Sequence, residues 1–300
     1  MKLIEKSSLD NYLAGYESVE YLSDGIAVAP NLTYTQGMLA NAYFFGHSVW
    51  AKKDFVREVN NPFWKSRWQK VIPSWDNKII VDIGCGAGHV LATLKGQPAL
   101  IIGVDISLEA LRIAQQIGYT PLLADAQKLP LKSGFADIVT LNATLHHTDD
   151  MASTLREAAR LVKPGGLLIT DLDPQMSAWN FKALGLLVNK ARRRFPSYWL
   201  MRFSRYRSRT EINMRLATEL HNAKPGDGMM TQFYFQVLDP LGFEIDVYPH
   251  NHNIDQALFT GDLGHLSWPY QLAQILSGIH PNQPASAQSI MCVAYLPRVS

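Results

Sequence analysis

A doubly wound α/β fold, a mostly parallel sheet covered on both faces by helices, is predicted by three features of this sequence. Short β-rich runs alternate with helical patterns along the middle of the chain, the runs are apolar almost throughout, and the helical stretches stop at glycine or proline. Continuous apolar runs mark strands buried on both faces, as in a parallel sheet. Right-handed crossovers and ligand sites at the carboxyl ends of the strands follow from that class.

Residues 1–75 read as an aromatic-rich helical cap, with Phe63, Trp64, Trp68 and Val71 spaced along one helix face. Lys78 to Ile83 is the first core strand and runs into glycines; Leu100 to Asp105 is the second. The next helix, Leu108 to Ile117, places apolar residues three and four apart and stops at Gly118. A weaker strand, Thr120 to Asp125, precedes a stronger one, Ala136 to Leu141. A helix from Met151 to Val162 is expected to stop at Lys163-Pro164-Gly165-Gly166, and Gly166 to Asp171 is the following strand. Residues 174–235 break the alternation as a basic, aromatic helical insertion. After Asp239-Pro240-Leu241-Gly242, strands resume at Phe243 to Tyr248 and Ser289 to Leu296. The expected division is a cap at 1–75, a core at 76–173, an insertion at 174–235 and the rest of the core at 236–300.

Composition narrows the function classes. With 300 residues, 47% hydrophobic and 18% charged, the chain can bury a large core, and disorder, collagen-like repetition and a coiled coil are disfavoured. A net charge of +2 is far from that of a dedicated nucleic-acid binder. The 2 cysteines, Cys85 and Cys292, are too few for a disulfide framework and lack metal-ligand spacing. There is no apolar signal core at the start and no apolar run long enough to span a membrane, so a cytoplasmic protein is expected.

The sharpest local signal is Val81-Asp82-Ile83-Gly84-Cys85-Gly86-Ala87-Gly88-His89. A strand enters three glycines at alternate positions and then a helix. Glycine is needed where backbone turns with φ > 0 and lets a ligand approach it closely. Alone the motif is weak, since a tight structural turn gives the same pattern. Three further residues strengthen it. Asp105 ends the second strand, where a carboxylate can accept both ribose hydroxyls. Asp125, before Ala126-Gln127-Lys128-Leu129-Pro130, can accept from an adenine amine, and Asn142 ends the next strand within reach of the glycine loop.

Together Asp-x-Gly-x-Gly-x-Gly, Val-Asp-Ile-Ser, Ala-Asp-Ala-x-x-Leu-Pro, Phe-Ala-Asp-Ile-Val and Val-Lys-Pro-Gly-Gly, in that order between Val81 and Gly166, resemble the signature of class I S-adenosylmethionine-dependent methyltransferases of the type 11 kind. The resemblance extends to Asp239-Pro240-Leu241-Gly242-Phe243 and the last strand. It implies a seven-stranded sheet ending in an antiparallel hairpin, with S-adenosylmethionine as cofactor and S-adenosylhomocysteine as product. By the same resemblance Asp82, Gly84, Gly86 and Gly88, in a loop that includes Cys85, would hold the methionine part. Asp105 would take the ribose, Ile106 would pack on adenine, Asp125 and Ala126 would hold its edge, and Asn142 would lie near the amino-acid end. A nicotinamide-dependent oxidoreductase fits less well, because its fingerprint is Gly-x-Gly-x-x-Gly and the third glycine here comes one residue early. A non-catalytic cofactor-binding module is the alternative from a different class.

Methyl transfer from a sulfonium is an in-line displacement in which proximity and orientation supply most of the acceleration. A base is needed only where the accepting atom must lose a proton. His146 and His147, just beyond Asn142, are the candidate bases; packing beside the cofactor or capping a helix is the bland reading. Asp171 and Asp173 are candidates for binding a cationic substrate, although Asp173 can equally cap a helix opening at Pro174. His250, at the end of a later strand on the same face, is a further candidate for the substrate site; with His252 it offers half a metal site with no third ligand close in sequence, so no metal is expected.

No Asn/Asp-Pro-Pro-Tyr follows the fourth strand, which argues against DNA and protein-glutamine targets, and no cysteine is placed as a nucleophile for pyrimidines. Tyr34, Tyr43, Phe44, Phe45, His47 and Trp50 form an aromatic set that folds over the cofactor and walls an acceptor site, or else merely completes the core. Between Lys182 and Arg215 ten basic residues face one acid, a local +9 that leaves −7 on the remainder. That island has three main readings: a lid for an anionic substrate, an anchor on an anionic membrane, or a solvated face. RNA binding is poorly supported by one short cluster. The expectation is a methyltransferase acting on O or N of a small metabolite, with a membrane-associated prenyl or lipid acceptor as runner-up.

Overall fold

The computed structural model describes residues 8–15, 19–47, 49–192, 213, 216–221 and 224–298. The basic stretch from Arg193 to Arg207, with most of the expected insertion's charge, lies outside the described residues.

The N-terminal part holds two short strands, β1 (Glu20–Tyr21) and β2 (Ala27–Val28), then three helices, α1 (Gln36–His47), α2 (Val49–Val59) and α3 (Pro62–Val71). The core follows as β3 (Ile79–Ile83), α4 (His89–Leu94), β4 (Leu100–Asp105), α5 (Leu108–Ile117), β5 (Thr120–Leu123), β6 (Ala136–Asn142), α6 (Met151–Leu161) and β7 (Val162–Pro174). The last strands are β8 (Glu244–His250) and β9 (Ser289–Tyr295). The sheet order is β1-β2-β5-β4-β3-β6-β7-β9-β8. All neighbours from β2 to β7 along that order pair in parallel, while β9 runs antiparallel to both β7 and β8.

The expected seven strands and terminal hairpin are therefore present, and the sheet is wider than expected by two strands. Ala27 and Val28 add alongside Leu122 and Leu123, covering an edge that would otherwise present unpaired backbone. A two-residue strand carries too little alternation to stand out in sequence.

Helix signals translate directly. Ser107 caps α5 through its hydroxyl and Gly118 ends it with φ 115°, while Asp150 accepts from the Ala152 and Ser153 amides at the start of α6. Helix α6 ends at Leu161, and the Lys163-Pro164-Gly165-Gly166 segment is already strand rather than a loop. Val162 pairs with Ala136, and the Lys163 ammonium sits 2.6 Å from Asp137, so the chain is drawn into the sheet at once.

Helix α3 buries Trp64, Arg67 and Trp68. Of the expected apolar face, Phe63 is exposed and Val71 half-buried, and a charged residue occupies the middle of the buried stripe. Arg67 is neutralised in place. Its guanidinium bonds Asp171 of β7 at 2.8 and 3.2 Å and the Ile254 carbonyl at 2.7 Å, and the Trp68 indole and His250 of β8 reach the same carboxylate at 2.8 and 2.7 Å. This hub pins the cap to the sheet. Among the described residues no helix is long and apolar enough to cross a membrane.

Candidate active site

Strand order reverses at β3, which pairs with β4 on one side and β6 on the other. A crevice opens outside the carboxyl ends of the strands at such a switch point, and the glycine loop leaves β3 there. Gly84, Gly86 and Gly88 all have positive φ, at 68°, 52° and 85°. A Cβ on Gly84 would lie 2.5 Å from the Thr144 side chain, and one on Gly88 would lie 2.9 Å from the Tyr119 ring. At Gly86 a Cβ would meet nothing within 4 Å, because that position faces the crevice.

Two acids hold this loop from different sides. Asp82 is 1% exposed and accepts from the Tyr119 and Thr140 hydroxyls, both at 2.8 Å. Burial pushes its carboxyl up to about 7 despite those bonds. It braces the loop from behind and does not line the crevice; nor does Cys85, whose thiol is buried and pushed up by burial. Asp105 faces the crevice. Its two oxygens accept from the Gly86 and Ser107 amides, each at 2.8 Å, which fixes the carboxylate while leaving further lone pairs for a ligand. Ile106, Asp125 and Ala126 line the same wall, and Asp125 is held by the Gln127 amide at 2.9 Å. Tyr34 supports this wall from outside: its hydroxyl donates to the Ile106 carbonyl at 2.7 Å.

At the other end a chain of hydrogen bonds orients Asn142. The Trp64 indole donates to its Oδ1 at 2.9 Å, so its amide nitrogen faces His89 Nε2, 2.8 Å away. That nitrogen must then be the unprotonated one, placing the ring proton on Nδ1. Burial lowers the His89 pKa to about 4, keeping the ring neutral near pH 7. His89 follows the last loop glycine directly, yet a single histidine at a helix start gives no sequence signal of this role. Trp64 reads from sequence as core and is also a crevice partner.

Beyond Asn142, Ala143 has φ 53°, and the chain turns so that His146 and His147 both line the crevice. His146 Nδ1 lies 2.8 Å from Asp173, and His147 Nδ1 lies 2.7 Å from the Thr218 carbonyl. Both Nδ1 atoms face acceptors, so each donates its proton there and each Nε2 keeps its lone pair. Burial, then the neighbouring His146, holds His147 well below the ordinary histidine range. Asp173 belongs to β7 and does not cap a helix; the following short helix starts at Met176 after Gln175.

The crevice holds about 860 Å³, near the top of the usual range for small-molecule sites, about 300–1,000 Å³. It brings together Gly84, Gly86, Asp105, Ile106, Asp125, Ala126, Asn142, His146 and His147 with the aromatic wall of Phe44, Phe45 and Phe63. Other sequence candidates lie elsewhere. Asp171 and His250 are wholly buried in the Arg67 hub, and the positive charges of Arg67 and His250 outweigh burial to hold the Asp171 carboxyl well below its usual range. No substrate can reach them there. Both His250 nitrogens meet acceptors, so His250 and His252 do not pair as metal ligands. Tyr43 is 39% exposed and stacks on His47 rather than on the crevice. Glu219, absent from the sequence reading, enters the crevice wall beside the histidines.

A family profile described as "Methyltransferase domain" matches residues 81–170, the segment from β3 to β7 that carries the loop and both acids. A ubiquinone biosynthesis O-methyltransferase of Nitrosomonas europaea is 30% identical over 152 residues, covering 48% of this chain and 63% of that protein. A demethylmenaquinone methyltransferase of Corynebacterium kroppenstedtii is 32% identical over 105 residues, covering 35% and 46%. The matched stretch thus spans less than two thirds of either relative. A solved SAM-dependent methyltransferase from Thermotoga maritima superposes with a TM-score of 0.50 over 85% of this chain and 99% of that one, at 20% identity, a likeness of fold. The glycine loop at the switch point and the acids at or just past the ends of the next two strands all fall within residues 81–170, the span over which this chain is similar to the methyltransferase-domain family.

Proposed function

We propose that the chain transfers the methyl group of S-adenosylmethionine to an oxygen of a small aromatic acceptor. The observation that carries this reading is the single crevice in which the cofactor wall, from Gly86 to Asp125, continues into a pair of histidines with unprotonated Nε2 atoms. In this reading the methionine end lies along the glycine loop and Asn142, the ribose on Asp105 and the adenine on Ile106 and Asp125. The methyl then points toward the histidines. An oxygen acceptor is favoured over an amine because a hydroxyl must lose a proton, which is work for which imidazole at neutral pH is suited. An amine lone pair would leave the pair without a task. The rings of Phe44, Phe45 and Phe63 favour a planar acceptor. The name of one relative, a ubiquinone biosynthesis O-methyltransferase, supports an oxygen acceptor. A prenylated quinol is a second reading on the relatives' names alone.

The test supplies S-adenosylmethionine with a labelled methyl group and a panel of phenols, quinols and aromatic amines, followed by mass spectrometry. Label in an aryl ether is the expected result. Label on nitrogen, or none with any hydroxyl compound despite cofactor binding, would remove the oxygen assignment.

A further inference from the structure

We propose that His146, His147 and Glu219 hold a divalent transition-metal ion of the zinc class at the acceptor end of the crevice. One ligand atom from each of the three lies within 4.8 Å of the others, and all three residues line the same crevice. No other group of this kind was found among the described residues, and it differs from the His250–His252 spacing visible in sequence.

Proximity is the weaker half of the argument. The stronger half is the support behind the rings. A ligating histidine characteristically donates its second ring nitrogen to a carboxylate or carbonyl, which sets its tautomer and orientation. Here both histidines do so, His146 to Asp173 at 2.8 Å and His147 to the Thr218 carbonyl at 2.7 Å. Asp173 is also wholly buried, and its second oxygen has no hydrogen-bond partner. A buried carboxylate without enough donors is costly, and a cation on the far nitrogen of His146 would offset its charge. Two imidazoles and one carboxylate suit zinc or ferrous iron better than magnesium, and three protein ligands leave coordination positions open to a substrate.

The inference rests on the oxygen-acceptor reading and changes how the proton is removed: the Nε2 lone pairs hold the ion, and the ion takes over the activation of the hydroxyl from the histidine base. The acceptor hydroxyl would bind the ion, its proton passing to water. An oxygen lone pair would then form the new C–O bond as the S–CH₃ bond breaks, the bonding pair staying on sulfur. The ion would serve as a Lewis acid and as a template for the acceptor.

The test uses full-length protein without a histidine tag, stripped by chelator dialysis and titrated with Co²⁺, whose visible absorption reports imidazole coordination. One equivalent is expected to bind, with affinity falling at least tenfold in Glu219→Gln and in His147→Asn, and unchanged in His47→Ala. Glu219 is half-buried on the crevice wall, so its replacement threatens the fold least. Absent saturable binding, or equal binding in Glu219→Gln, would overturn the proposal. Methyl transfer at full rate by the stripped protein in chelator would overturn the ion's role in the reaction and leave His146 as a direct base. Stoichiometric Co²⁺ binding lost in both variants, without methylation of any hydroxyl compound, would sustain the ion site and count against the acceptor class instead.

Discussion

Asp105 carries two amide hydrogen bonds of its own loop, so it is positioned before any ligand arrives. Charge-assisted hydrogen bonds of this type contribute about 1.5–3 kcal/mol each. Asp105→Ala should therefore weaken S-adenosylmethionine binding by at least about tenfold in calorimetry; unchanged affinity would remove Asp105 from the cofactor site. His146 and His147 stand at the other end, where the expectation separates binding from turnover. His146→Ala or His147→Ala should lower kcat by about 10²–10⁴ with cofactor affinity near normal. If neither variant slows the reaction, proximity and orientation alone account for it. The same residue scale explains His89 and Asn142. Each side chain is fixed by its neighbour, so His89 presents Nδ1–H as a fixed donor, and Asn142 presents its amide, at the amino-acid end of the proposed cofactor position.

Among the elements, α3 does most to join the cap to the sheet. It carries Trp64 to Asn142 and Arg67 with Trp68 to Asp171, thereby linking the β6 and β7 strand ends. Removing one partner of a buried ion pair typically costs about 3–5 kcal/mol, because the other charge is left uncompensated. Arg67→Ala should lower stability by about that amount in chemical denaturation, and should loosen the crevice wall as well. A loss under about 1 kcal/mol would mean that Asp171 is satisfied without Arg67. The turn after β6 and the end of β7 are also sharply bent where they meet the crevice. Ala143 at φ 53° and Leu172 at φ 63°, both on the crevice, hold backbone conformations that non-glycine residues rarely take.

For the molecule as a whole, two buried groups give pH dependences of opposite sign. His89 titrates near 4 folded and near 6.5 unfolded, so stability falls as pH drops through that window. Asp82 titrates near 7 folded and about 3.9 unfolded, so over much of the same range its contribution falls as pH rises. His252, lowered by burial to about 4, and His147, held well below its ordinary range, act in the same direction as His89, while Asp105, raised by burial, acts with Asp82, so the opposing slopes partly cancel between about pH 4 and 6.5. Below that range Asp171, whose folded pKa is depressed, loses its stabilisation as it is protonated. Asp82→Asn removes one opposing proton and should steepen the fall in stability toward acid by up to about 1.4 kcal/mol per pH unit relative to the parent protein. Urea denaturation from pH 4 to 7 measures this, and a slope unchanged from that of the parent protein would show that Asp82 is not raised in the fold.

The sequence by itself determined the α/β class, the seven core strands within a few residues and most of the residues, from Gly84 to Asn142, that line one wall of the crevice. These depend on local chemistry: apolar runs, caps, and glycines whose positive φ is demanded at one strand-to-helix turn. Tertiary structure alone decided the rest. Asp171 and Asp105 look alike in sequence, each ending a strand, yet Arg67 from a helix about a hundred residues away claims the first, while the second faces the crevice. Asp173 was legible as a cap or a substrate group and is instead the support of His146. His89 carried no signal because its partner Asn142 is distant in the chain, and Glu219 because the histidines it joins in the crevice wall are about seventy residues away. Local propensity is written residue by residue, whereas the partner of a buried charge is set by which elements the packing brings together.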